Sequence, residues 1–396
     1  MSASATSPAT STVDRPVEAS GVPVEQPASP SARDPWLDNA KYWLIVLVVV
    51  GHAVAVDVSR QVPAAHALYL WIYSFHMPAF IFVAGLLGRS RSVEPRHLRS
   101  LVTRVVAPYL IFSVIYAGLV AVHDGRPPRV DLVNPQWLLW FLPALLFWRL
   151  TTPMVLTLRW PLLVSVTVGL GAGLIDRIGS ELTLSRALSL APFFVAGATA
   201  GPWLLPHLRR PAVRWAGGAV LAASLVAALA LHDHVRGTPG AFYWDAGYAG
   251  QGLPAVQGLL VRAGMYAVGA TMLVALLAAV PRRRSWTTAV GAASLYVYLL
   301  HGLVVRVFRW GPLDSHVRDV PTLLLLVLAS VAVASLLGSK LVRVPLRPLV
   351  EPRLTWLLSG ADRPGYWSKS STTSSDTGRD WQASTKPASS SSRSSA

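Results

Sequence analysis

About ten long apolar runs, separated by short polar connections, constrain this chain more than any other feature. A helix needs roughly 20 apolar residues to cross a bilayer, and these runs are about 15–24 residues long. They fall near 41–57, 68–87, 101–122, 136–150, 160–175, 185–204, 213–231, 257–280, 288–307 and 320–342. The expected fold is all-α, a polytopic transmembrane helical bundle. Composition agrees: 14% of residues are charged, where soluble domains carry about 25%.

Basic residues recur in every second connection. They occupy "GRSRSVEPRHLRSLVTR", Arg149 with Arg159, "HLRRPAVR", "PRRRSW", and the group Lys340, Arg343, Arg347 and Arg353. The intervening connections hold most loop acids, among them Asp57, Asp124, Asp131, Asp176, Glu181, Asp233, Asp245, Asp314 and Asp319. The positive-inside rule turns this alternation into about ten spans with both termini cytoplasmic, in a cell (plasma) membrane protein. It also accounts for the net charge of +16 without nucleic acid as a partner. High Ala and Arg usage suggests a GC-rich bacterial genome. With no cysteine, disulfides, cysteine-ligated metal and an acyl-cysteine intermediate are excluded.

Residues 1–35 are rich in Ser, Ala, Pro and Thr and lack an apolar core, so they read as a disordered cytoplasmic tail rather than a signal peptide. Residues 36–345 form the transmembrane domain, and the Ser-rich stretch 346–396 is expected to be a second, mostly disordered cytoplasmic tail. No internal repeat of the two-halved transporter kind is present. The longest outer connection, "HDHVRGTPGAFYWDAGYAGQGLP", is aromatic and Gly-rich, suited to a lid or an acceptor-binding surface.

Ionisable residues inside spans are costly and are functional candidates by default. Lys41 and His52 lie eleven positions apart in the first run. On a helix that is roughly 16 Å of rise with both side chains within ~20° of one face. A snorkelling lysine and a packed histidine account for the pair equally well. Asp38 is placed to be the N-cap of this helix. His76 sits in "YSFHMPAFIFVAGLLGR", about two turns from the outer end and beside Pro78, and His301 sits in "SLYVYLLHGLVVR". These histidines have no intrahelical ligand spacing and no deep carboxylate beside them, so no metal is expected. A neutral imidazole suits general-base work, and the matching chemistry is acyl transfer onto a hydroxyl. No G-x-S-x-G elbow supports a serine acyl-enzyme. The basic segment 89–104 suits the phosphates of a nucleotide-bearing donor. A topology determinant is an equal reading for any one of its arginines, Arg104 being the best exception.

Together these residues resemble the acyltransferase-3 family of integral membrane O-acyltransferases, nearest to its fucose 4-O-acetylase-like branch. The resemblance rests on Asp38-Asn39-Ala40-Lys41, the ten-residue spacing from Lys41 to His52, "FHMPAFIFVAG", Arg104 with "APYL", "WLLWFLPALLFWRL", "APFFVAG" and "SLYVYLLH". It covers roughly 36–345. One departure is Lys41, where many relatives have arginine; lysine keeps the charge but loses bidentate phosphate binding. The resemblance implies transfer of an acyl group, usually acetyl, from acetyl-CoA as co-substrate to a hydroxyl of a sugar or glycan, with no bound cofactor. His52 would be the base, with Lys41 and His76 completing the catalytic set. Arg104, Asn39 and Asp38 would serve the donor, and His301, Trp137 and Trp140 the acceptor. Two other classes remain: a transporter or flippase for a polar or lipid-linked solute, and a membrane sensor or scaffold.

Overall fold

The computed structural model describes residues 34–55, 62–88, 94–176, 181–235, 242–311 and 316–357. Most of the two tails, residues 89–93 of the basic segment, and Asp57 and Asp314 lie outside these. Contacts group Pro35–Ala396 as one unit. The apolar runs become helices, and no strand occurs among the described residues.

The order is α1 Pro35–Ala53, α2 Pro63–Leu87, α3 Pro95–Leu101, a π-helical turn Val102–Val106, α4 Ala107–Asp124, a 3-10 turn Trp137–Trp140 and α5 Phe141–Val155. Then come α6 Pro161–Gly171, α7 Leu184–Thr199, α8 Gly201–Leu208, α9 Pro211–Leu231 and α10 Ala255–Ala279. Last are α11 Trp286–Ala292, α12 Ser294–Trp310, α13 Val320–Leu337 and α14 Lys340–Val350.

Seven helical stretches are long and apolar enough to cross a membrane, and eight if α11 and α12 count as one span bent by 79°. Two of the ten expected runs fall outside that set. The run 161–174 is too short. In α1, Asp38, Asn39 and Lys41 lower the hydropathy of the first turns; the helix is instead enclosed by α2, α11, α12 and α13. The ninth expected span is not one straight helix, and the tenth stops at Gly338, where the chain turns into basic α14. That helix runs to Val350, past the expected domain limit at 345.

Asp38 is not the N-cap of α1. Proline suits the first helical turn, where its missing N–H is not needed, so the helix starts at Pro35. Asp38 therefore lies inside the helix and pairs with Lys41 Nζ at 2.7 Å. The expected depth of His76 also shifts, because α2 begins at Pro63 and His76 falls near its midpoint.

Small residues set the tightest crossings, as expected where helices pack in lipid without a hydrophobic drive. A Cβ on Gly85 of α2 would strike the Phe194 carbonyl of α7, and one on Gly197 of α7 would strike the Phe82 carbonyl of α2. The π-helical turn precedes Pro108, which has no N–H to give to the carbonyl of Arg104 and whose ring crowds that carbonyl. Widening the turn relieves that crowding and leaves Arg104 exposed.

Candidate active site

His52 occupies the last turn of α1 and is half-buried. Its Nδ1 lies 3.5 Å from the Tyr73 hydroxyl of α2. One turn along α2, the His76 ring sits 4.8 Å from the Tyr73 ring. His76 Nδ1 is 2.8 Å from the Ile72 carbonyl. A carbonyl only accepts, so Nδ1 carries the proton and Nε2 is left as the basic nitrogen.

His301 of α12 follows the same logic. It is fully buried, and its Nδ1 donates to the Val297 carbonyl at 3.0 Å. Its Nε2 is buried with no hydrogen-bond partner. The ring lies 5.4 Å from that of His52. Two tyrosines fix this helix: Tyr116 donates to Leu299 O at 3.1 Å, and Tyr298 donates to Leu138 O at 2.5 Å. Gly302 is required here, since a Cβ would run into Tyr116 and Leu138.

His52, Tyr73, His76, Trp137 and Trp140 line a cavity of about 260 Å³. Trp137 packs edge-on to His52 at 4.9 Å. The segment Phe242–Asp245 closes over this cavity. Arg186 of α7 holds it there, bonding Asp245 Oδ2 at 2.7 Å and the Tyr243 carbonyl at 2.9 Å while lying over Trp140. Trp137 and Trp244 both have left-handed backbones, with φ of 45° and 58°. For a bulky side chain that costs about 1–3 kcal/mol each, and such strain concentrates at ligand sites. Trp244 is buried, and its indole Nε1 has no partner.

The residues expected to serve the donor stand apart, and none of them lines this cavity. Asn39 is fully buried, and its amide is fully engaged. It donates to Pro281 O at 2.8 Å and Arg283 O at 2.9 Å, and it accepts from the Thr287 and Thr288 hydroxyls at 2.8 Å each. Lys41 remains paired to Asp38. Arg104 is within Coulombic range of Arg149, whose buried Nε lacks a partner. A narrow crevice of about 20 Å³ adjoins His52 and is lined on α1 by Ile45 and Val48. These residues share a helical stripe with Lys41.

Sequence reasoning missed Tyr73, Arg186, Trp244, Asp245 and Arg309 as individual cavity residues. Tyr73 stands three residues before His76 in a segment already singled out. Trp244 and Asp245 fall in the aromatic, Gly-rich connection between α9 and α10. Arg186 carried no local signal.

An all-helical bundle of membrane-length helices, with His52 and His76 lining a cavity and His301 packed beside His52 but not lining it, is the setting for the comparisons with known proteins. The model of an acyltransferase domain matches residues 34–339, and the chain belongs to this acyltransferase-3 family. It is similar to the nodulation protein NolL of Sinorhizobium fredii (strain NBRC 101917 / NGR234), at 28% identity over 162 residues. That stretch is 36% of this chain and 43% of NolL, so the chain spans less than half the length of that relative. No solved structure matches the chain.

Proposed function

We propose that the protein transfers an acyl group, acetyl in the simplest case, from acyl-CoA to a hydroxyl of a sugar or glycan. The fucose 4-O-acetylase-like branch is the nearest setting for that chemistry. The observation that carries the reading is the cavity itself. His52 and His76 line it from two helices, with His52 beside both Tyr73 and Trp137, and His301 of a third helix is buried behind His52 with its Nε2 unpartnered.

In this reading the acceptor hydroxyl lies against His52. Its oxygen attacks the thioester carbonyl as His52 removes its proton. The tetrahedral intermediate collapses to the ester, and the CoA thiolate leaves, taking the proton from the imidazolium. Trp137 and Trp140 present ring faces to the sugar, and the Trp244 N–H is a further donor for a hydroxyl. At the cytoplasmic end, Lys41 and Arg104 meet the donor's phosphates, with Asp38 orienting Lys41. Asn39 supports the donor side from behind by holding α1 to the 281–288 segment. The donor's thin arm follows the α1 stripe from Lys41 to His52; as it stands that crevice holds about one water, so the passage widens on binding.

The test is incubation of membranes carrying the protein with labelled acetyl-CoA and candidate glycans. Label in the glycan ester, dependent on the protein, is the expected result. Solute uptake that proceeds without acyl-CoA, and no ester, would favour the transporter instead.

A further inference from the structure

Beyond His301, α12 carries two guanidiniums toward the mouth of the cavity. Arg306 and Arg309 are three residues apart and so share one side of the helix. Their Cα atoms lie about 7.5 and 12 Å past that of His301, the reach of a short saccharide. Both line an open vestibule of about 530 Å³ with Asp124, Trp137 and Trp310. Trp137 and Arg309 also line the imidazole cavity, so the two spaces share a wall.

Among the described residues lining this vestibule, two guanidiniums stand against one carboxylate, which is within Coulombic range of Arg306. Asp124 is its one described acid, and its carboxylate pairs with His123 Nδ1 at 3.0 Å. Arg306 makes no ion pair with a described residue. Its guanidinium instead lies over the rings of Tyr116, Trp137 and Trp310, at 5.8, 5.4 and 5.7 Å from their centroids. Ring faces hold the cation by its plane and leave its fork of N–H donors for an acceptor. That fork matches a carboxylate or a phosphate. Deeper in, Arg186 is already committed to Asp245 and the Tyr243 carbonyl. On the topology expected from the sequence, the positive-inside rule accounts for basic residues at the opposite end of the bundle, not for these. Arg309 lies in the last turn of α12, where a cation suits the helix dipole in any case, so Arg306 carries the argument.

We infer that the acceptor is an anionic saccharide, bearing a carboxylate or a phosphate, and that Arg306, with Arg309, is the specificity-determining contact for that anion. The inference rests on the acyl-transfer reading for the identity of the ligand as acceptor, but not for the anion site itself.

The experiment titrates the full-length protein, in lipid nanodiscs, with methyl glucuronide, glucose 6-phosphate and methyl glucoside. Binding is followed calorimetrically. The expected result is that at least one anionic sugar binds roughly tenfold or more tighter than the neutral one, by a margin that shrinks as salt rises. The ranking of the two anionic sugars tells carboxylate from phosphate. Arg306→Gln removes the margin and leaves methyl glucoside binding as it was, and Arg306→Lys falls between. Arg309→Gln serves in its place if Arg306→Gln fails to fold. Equal binding of all three sugars, no saturable binding of either anionic one, or a uniform loss for all three in Arg306→Gln overturns the inference. Labelled acetyl transfer is measured on the same preparations. A charge preference without transfer supports the anion site and counts against the acyl-transfer reading; transfer without preference does the reverse.

Discussion

Asn39 is the residue whose removal has the most readable cost. Asn39→Ala deletes two donors to the Pro281 and Arg283 carbonyls and one acceptor shared by the Thr287 and Thr288 hydroxyls. At about 0.5–1.5 kcal/mol net per hydrogen bond, four bonds sum to roughly 2–6 kcal/mol. The Pro281 and Arg283 bonds are only part-buried, so water replaces some of that loss. The Thr288 hydroxyl is buried and regains nothing. The expected destabilisation is therefore in the lower half, about 2–4 kcal/mol. The assay is the folded fraction of purified protein against SDS mole fraction in mixed micelles. Asn39→Asp is expected to be as damaging, because it turns two donors into lone pairs facing carbonyl oxygens. In membranes, the folded fraction of either variant is expected to keep its KM for acyl-CoA within about twofold. Unchanged stability with a raised KM would refute the staple and place Asn39 in direct contact with the donor.

Gly85→Ala and Gly197→Ala each drive a methyl into a neighbouring backbone carbonyl; each is expected to destabilise by about 2–3 kcal/mol in the same titration, with the pair less than additive. Arg104→Gln is expected to raise the KM for acyl-CoA about tenfold and leave kcat within about threefold, as measured by CoA release. At the start of α13, Asp319 accepts from the Thr322 hydroxyl and backbone N–H, which holds its carboxyl below the usual carboxylate range. A carboxyl depressed in the folded state stabilises above its unfolded value and loses that contribution as pH falls through the folded value. Hydrogen exchange of the first-turn amides of α13 should thus accelerate, relative to intrinsic rates, on acidification. Asp319→Asn should remove that pH dependence.

The bundle and its histidines were legible because both depend on local rules. An apolar run must become a helix in lipid, and an imidazole placed in one must answer for its cost. His52, His76 and His301 fall together on that ground. The rest depends on partners distant in sequence. Asn39 is held by residues more than 240 positions away, so "DNAK" alone could not separate a staple from a donor contact. The 79° bend between α11 and α12 interrupts a run with no proline and an ordinary apolar profile. Arg186 and Asp245 meet only once the connection between α9 and α10 folds back over α7. The left-handed Trp137 and Trp244 oppose every local preference of tryptophan, and they lie where the cavity forms. Asp38 misled as a cap because Pro35, three residues earlier, is the stronger start signal.

In the proposed reaction His52 takes the acceptor's proton. Ester formation from labelled acetyl-CoA, measured in membranes holding matched amounts of wild type and His52→Ala, tests it most directly. The expected result is a fall of about 10²–10⁴-fold in the rate of ester formation, with acyl-CoA binding retained. A His52→Ala rate within about threefold of wild type would contradict it.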